Sequence, residues 1–278
     1  MLASDSARVR DPVFNPCGII TLTTDFGDRD PFVATMKGRI LDRLPSARII
    51  DVTHQISTYW PAEAGFWLSR AYPYFPAGTV HIAVVDPGVG TSRHIVGVQV
   101  DDHIFLAPDN GLLSLVLRRA KASRIHRLDV KHALERFRLS TPSSTFHGRD
   151  LFAPIAAELA AGRATLEDIG PPTDSVLEVA VASTEQSADG IHGVVITVDH
   201  FGNLITDIDE SLIRGLQRPA VTIDGRQIPL RRTYGDVQPG DLLALINSFG
   251  VVEIAVAQGS AAAVLGLSRG TPVSVRDA

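Results

Sequence analysis

Apolar and polar positions change their period along this chain, and the change divides it. From Gly18 the run Ile19-Ile20-Thr21-Leu22-Thr23-Thr24 is β-branched and unbroken, as in a strand buried on both faces, and it ends in Asp25-Phe26-Gly27-Asp28. Asp30 and Pro31 follow as N-cap and first helical residue, and Phe32, Met36, Ile40 and Leu44 recur every four positions, which predicts a helix with one apolar stripe. The same alternation repeats. A strand over 48–51, a helix opened by Pro61, and an apolar strand running into Asp86 come first. A strand pair through 95–106, a helix after Asp109-Asn110-Gly111, and a helix over 150–161 closed by Gly162 complete the series. Strands alternating with helices predict a three-layer α/β domain with a central, mostly parallel sheet.

After Gly190 the period shortens. Apolar runs at 194–199, 204–208, 221–230, 242–247, 252–257 and 272–275 are separated by turn signals that include Asp224-Gly225, which predicts a small antiparallel barrel or sandwich. The expected organisation is therefore a loose tail over 1–16, an N-terminal α/β domain over 17–172 ending in the Gly170-Pro171-Pro172 loop, a linker over 173–189, and a C-terminal β-barrel over 190–278.

Composition narrows the function classes. The 278 residues, 45% of them hydrophobic, are enough for two cores, and a net charge of −5 without a long basic run argues against nucleic-acid binding. No apolar run approaches the ~18 residues of a membrane span, so a soluble, cytoplasmic protein is expected. The single cysteine, Cys17, excludes an internal disulfide and a cysteine-based metal cluster, and its place at a strand start reads as a buried small residue.

The segment that most favours chemistry is His81-Ile82-Ala83-Val84-Val85-Asp86-Pro87-Gly88-Val89-Gly90-Thr91-Ser92-Arg93. A buried strand there delivers a carboxylate and an arginine at its carboxyl end, where open α/β sheets hold their ligands; a capped turn with a solvated Arg is the alternative. Asp25, Asp28 and Asp30 admit two functional readings, a hard-cation site or a ribose-binding carboxylate at Asp25 with Asp28 or Asp30 capping the next helix. His147, in Phe146-His147-Gly148-Arg149-Asp150, sits at a loop–helix junction that favours a neutral ring, either functional or structural. In the second region Asp199-His200-Phe201-Gly202-Asn203, Asn247-Ser248-Phe249-Gly250 and Tyr234 suit a purine stacked on aromatic rings and bonded by an amide; two packed Phe-Gly turns are the alternative.

Together these motifs resemble one family. Thr24-Asp25-Phe26-Gly27, Asp51-Val52-Thr53-His54, Asp86-Pro87-Gly88-Val89-Gly90, Pro108-Asp109-Asn110-Gly111, Phe146-His147-Gly148-Arg149-Asp150 and Phe201-Gly202-Asn203 are similar to those of the S-adenosyl-L-methionine hydroxide adenosyltransferases, relatives of fluorinating and chlorinating enzymes. The resemblance runs from Ile19 to Val275. It implies Asp86, Arg93 and His147 as the catalytic trio. It further implies Asp25 on the ribose hydroxyls, Trp60 beside the sugar or methionine, and Phe201, Asn203 and Tyr234 around adenine. Asp199, Ser248 and the Phe249 backbone would then receive the methionine amino and carboxylate groups. It also implies hydrolysis of S-adenosylmethionine to adenosine and methionine without metal or cofactor, in a homotrimer whose sites lie between subunits.

Halogenating relatives carry a Tyr and a Thr or similar residue where this chain has Asp86 and Val89, and the fluorinating enzyme a Ser in place of Gly148. Asp207 stands where relatives often have Asn. Three rival functions remain open at this level. They are a halide-using adenosyltransferase, a non-catalytic sensor of S-adenosylmethionine or adenosine, and a metal-dependent hydrolase built on the Asp25 cluster. Of the trio, a carboxylate beside a guanidinium orients water but is a weak base, whereas an imidazole with an ordinary pKa of about 6.5 is better matched to take a proton.

Overall fold

The computed structural model describes residues 14–120, 122–178 and 184–277. The tail expected over 1–16 lies, up to residue 13, outside the described residues, as does the 179–183 part of the expected linker. The chain forms two compact units, Met1–Val179 and Ala180–Ala278.

In the first unit, strands β1 (Ile19–Thr24), β2 (Arg48–Thr53), β3 (Val80–Val84), β4 (Ile95–Val100), β5 (His103–Pro108) and β6 (Ala122–Arg127) form a sheet in the order β2-β1-β3-β5-β4-β6. Pairs β2–β1, β1–β3 and β3–β5 are parallel, while β4 runs antiparallel to both neighbours. Helices α1 (Phe32–Arg43), α2 (Pro61–Ala71), α3 (Ser114–Arg119), α4 (Val130–Arg136) and α5 (Ala153–Ala160) complete the unit. The strand period of two sorts the core. Ile82 and Val84 of β3 join α1 and α5 on one face, whereas Ala83 and the following Val85 join α2 and α3 on the other.

The order β2-β1-β3 fixes where a ligand can sit. From β1 the chain leaves through α1 to one neighbour and returns through α2 to the other, so a crevice opens between the carboxyl ends of β1 and β3. Thr24 pairs with Val84 at that end, which sets Asp25 and Asp86 just beyond the last paired residues.

The second unit holds β7 (Glu185–Ser187), β8 (Gly190–Val198), β9 (Leu204–Asp209), β10 (Pro219–Ile223), β11 (Arg226–Arg231), β12 (Leu242–Ile246), β13 (Val251–Val256) and β14 (Pro272–Asp277), with short helices α6 (Glu210–Ile213) and α7 (Ala261–Leu265). The order β14-β10-β11-β12-β13-β9-β8 closes through a β14–β8 pairing into a barrel, and β7 adds to β8 outside it. All pairs are antiparallel except β11–β12. The run 221–230 is two strands, folded at Asp224 and Gly225, both with positive φ (49° and 70°), the hairpin turn their residue types favour.

Local expectations fail at three places around the crevice. Pro31 itself occupies the N-cap of α1 and no side chain caps it, so Asp30 stands one residue too far upstream to reach the first free N–H groups; Asp28 instead accepts from Gln55 Nε2 at 2.6 Å. Phe32, placed on the buried stripe by its spacing, is 46% exposed, while Val33, Met36 and Ile40 are buried. The helix expected over 150–161 begins instead as a π-turn, Gly148–Phe152, before α5.

Candidate active site

Asp86 follows β3, and its surroundings hold the turn in place. Asn110 Nδ2 donates to the Val85 carbonyl at 2.8 Å, and Val89 N–H donates to the Asp86 carbonyl at 3.2 Å. Thr91 Oγ1 donates to the Gly88 carbonyl at 2.7 Å and accepts the Arg93 N–H at 3.3 Å, bending Arg93 back over the turn. Gly90 has φ +78°, and a Cβ there would lie 2.1 Å from the Ser144 carbonyl oxygen, so glycine lets this turn press against the segment that carries His147.

Arg93 joins the other two polar groups. Its Nε donates to Asp86 Oδ1 and Oδ2 at 3.0 and 2.8 Å, and its Nη2 bonds both Asp86 Oδ2 and, at 3.0 Å, His147 Nδ1. The Asp86 and Arg93 side chains are 4% and 11% exposed. A guanidinium has no acceptor, so His147 Nδ1 must accept, and the neutral ring carries its proton on Nε2. Burial first, then the Arg93 charge, hold the His147 pKa below the ordinary histidine value, against the opposing pull of Asp86 and Asp150. The imidazole is therefore a fixed hydrogen-bond donor, and taking a proton at Nδ1 would cost it the bond to Arg93.

A cavity of about 450 Å³ lies against this cluster, lined by Asp25, Phe26, Asp30, Phe32, Tyr59, Asp86, Phe146 and His147 among others. Arg93 is not on its wall. It stands behind Asp86 and His147. Phe26, Phe32 and Phe146 meet edge to face, with centroids 5.4–6.1 Å apart, which explains why Phe32 is withheld from the core. Asp25 Oδ2 accepts the Tyr59 N–H at 3.0 Å, holding that tyrosine at φ 62°. Trp60, expected beside the sugar or methionine, is at the N-cap of α2, next to Thr58 and Tyr59, which line the cavity. Among the described residues no group of three or more His, Cys, Asp or Glu side chains is arranged to hold a metal ion; Asp25 bonds the Tyr59 N–H, Asp28 bonds Gln55, and Asp30 lines the cavity.

In the second unit Phe201, Asn203 and Tyr234 line a cavity of about 440 Å³ with Val256, Gln258 and Gly259. Phe201 and Tyr234 are 72% and 44% exposed. Tyr234 Oη donates to the buried Glu253 at 2.6 Å, and burial together with that carboxylate pushes the phenol pKa up. Asp199 accepts the Phe201 and Asn203 N–H groups and Asn203 Nδ2, each at 2.9 Å, so it shapes the loop that presents Phe201 and Asn203. The Phe249 N–H beside Ser248 is taken by Asn247 Oδ1 at 3.0 Å, and neither residue lines this cavity.

The N-terminal domain of the SAM hydroxide adenosyltransferases matches residues 20–170, and their C-terminal domain matches residues 193–274. The chain belongs to this family. The (R)-S-adenosyl-L-methionine hydrolase of Salinispora tropica is 40% identical, with 94% of this chain and 98% of that protein covered. The protein of the same name from Thermus thermophilus is 39% identical, covering 90% and 96%. A fluorinase from Actinoplanes sp. is more distant at 28%. The crystal structure of an uncharacterized conserved protein from Thermotoga maritima superposes with a TM-score of 0.85 at 34% identity, covering 92% of this chain and 99% of that one.

Several motifs that carry the SAM hydroxide adenosyltransferase resemblance prove to be scaffolding. Asp109 accepts the Leu177 N–H at 2.6 Å, and His54 is 5% exposed beneath the Asp25 loop. Asp207 Oδ1 accepts the Val194 N–H at 2.8 Å, a bond that an asparagine oxygen would make equally well. A Cβ at Gly148 would lie 3.2 Å from Met36 Sδ and 3.3 Å from the Phe146 ring, so any larger residue there would crowd this pocket floor.

Proposed function

We propose that this protein hydrolyses S-adenosylmethionine to adenosine and methionine, by attack of water on the ribose 5′ carbon. The observation that carries the reading is the Arg93-linked pair of Asp86 and His147, both on the wall of a cavity that also presents Asp25. Family membership supports it, and so do the names of the relatives at about 40% identity. In the reaction, the water oxygen forms the bond to C5′ as the C5′–S bond breaks, and its electron pair neutralises the sulfonium. Methionine leaves as a neutral thioether, so neither a general acid nor a Lewis acid is required, and no cofactor enters the proposal.

The work falls on the nucleophile. Asp86 orients water and receives its proton, His147 donates through Nε2–H to fix the water or the nascent hydroxyl, and Arg93 positions both from behind. Asp25 holds the ribose hydroxyls. An anionic Asp86 repels halide and favours water, which sets the reading apart from halide transfer. Reaction in ¹⁸O-water tests it: the label is expected in the 5′-hydroxyl of adenosine, with the rate unaffected by a chelator. A 5′-halogenated nucleoside formed in chloride or fluoride, or a rate abolished by chelation, would refute it.

The second unit supplies the ring wall: Phe201, Tyr234 and Asn203 for adenine, with Trp60 and the Asp199, Ser248 and Phe249 region serving the sugar and methionine end. The family resemblance implies a homotrimer with sites between neighbouring copies, and we carry that assignment over to this chain. Sedimentation is expected to give the mass of three chains, and a monomer that retains full activity would overturn this. A cytoplasmic setting suits a chain whose one cysteine needs no oxidising compartment.

A further inference from the structure

The loop that carries Asp25 is braced from behind by a continuous polar chain. Thr24 is fully buried, and its Oγ1 accepts the Phe26 N–H at 3.2 Å and lies 2.8 Å from His54 Nδ1. The His54 carbonyl accepts the Gly27 N–H at 2.8 Å, so one residue grips the loop on both sides of Asp25. His54 Nε2 lies 3.1 Å from Asp51 Oδ1, and Asp51 Oδ2 accepts from Lys37 Nζ at 2.6 Å. Burial acts to raise the Asp51 pKa, but Lys37 and His54 outweigh it and hold the carboxyl below its ordinary value. A carboxylate beside Nε2 keeps the ring proton there, which leaves Nδ1 to accept from the Thr24 hydroxyl. Thr24 thus bonds His54, and His54 Nε2 faces the Asp51 carboxylate as a close charge contact.

None of Thr24, His54 and Asp51 is among the residues lining the cavity. From this juxtaposition we infer that Thr24, His54 and Asp51 are positioning residues that aim the Asp25 carboxylate, making the site selective for a nucleoside with free 2′ and 3′ hydroxyls. Asp25 is held in front by the Tyr59 N–H and behind by this chain, which leaves its carboxylate one presented geometry. Two vicinal hydroxyls meeting one carboxylate demand such a fixed geometry, because each bond constrains the other. The inference rests on the ribose assignment of Asp25.

Calorimetric titration with adenosine and with 2′,3′-dideoxyadenosine tests it. Thr24→Val, which keeps shape and removes the hydroxyl, is expected to weaken adenosine about tenfold, the lower end of the cost of losing a supporting partner behind a ligand-binding group. It should leave dideoxyadenosine unchanged and raise KM for S-adenosylmethionine with kcat within about twofold. Thr24→Ser restores adenosine binding. Equal weakening of both nucleosides, or of neither, would overturn the positioning role. Adenosine binding unaffected by Asp25→Asn would overturn the ribose assignment and this inference with it; sensitivity at Asp25 with none at Thr24 would overturn the inference alone. Should Thr24→Val not fold, Asp51→Asn, at the exposed end of the chain, carries the same comparison.

Discussion

Asp86→Asn is expected to lower adenosine release from S-adenosylmethionine by about 10²–10⁴-fold, the range for removing a group that orients and deprotonates the attacking water. Affinity for the substrate should stay within about threefold, because the proposed duty of Asp86 is to the nucleophile. Asparagine is preferable to alanine as the first variant. Either variant leaves the Arg93 charge, 11% exposed, without its carboxylate, but the amide oxygen of asparagine still accepts a hydrogen bond from the guanidinium and fills the same space, whereas alanine leaves those donors unsatisfied as well. The released guanidinium would also be free to swing towards the cavity. Single-turnover adenosine formation and equilibrium binding separate the possible results. Lost binding with intact turnover of bound substrate would assign Asp86 to the ligand, and turnover unchanged in both variants would remove it from the chemistry.

The part of this site that could be read in the sequence is the part written by strand ends. Thr24-Asp25 and Val85-Asp86 are legible because unbroken apolar runs announce buried strands, and the residues just past the end of such a strand in an α/β sheet face the ligand crevice. The order of the strands and the crevice between β1 and β3 are not local information; the alternation predicted a mostly parallel sheet, and only the structure shows which strands are neighbours. The features that stayed hidden depend on contacts between distant segments. Phe32 fits a helical stripe, and only the meeting of Phe26, Phe32 and Phe146 draws it to the cavity wall. Tyr59, beside the expected Trp60, reaches the cavity wall on a positive φ held by a carboxylate 34 residues away in sequence. The barrel was legible from its turns, whereas the parallel β11–β12 pair was not, since strand direction across a longer connection leaves no mark on composition.

His147 offers the sharpest division between two mechanisms. If the imidazole removed the proton from water, Nε2 would have to be bare, but Arg93 Nη2 occupies Nδ1 and leaves the ring proton on Nε2. His147→Gln, whose amide can donate but cannot take a proton, is therefore expected to keep activity within about tenfold of the native protein, while His147→Ala loses about 10²-fold, the cost of one oriented donor. Equal loss in the two variants would restore the imidazole to the role of base. The pH profile has a definite sign. Burial and Arg93 hold the His147 pKa below its ordinary value, so the neutral donor prevails at and above pH 7, and activity should fall only on an acid limb with its midpoint below about 6.5. Acid also threatens the fold. His81 and His103 are buried 3.1 Å apart with pKa values lowered chiefly by burial, so the unfolded chain binds more protons below about pH 6.5 and stability falls as pH drops. Thermal melts at each pH separate the two effects. A limb that persists where the protein is fully folded, and that vanishes in His147→Gln, belongs to His147; a pH profile identical in His147→Gln and the native protein would deny His147 the part given to it.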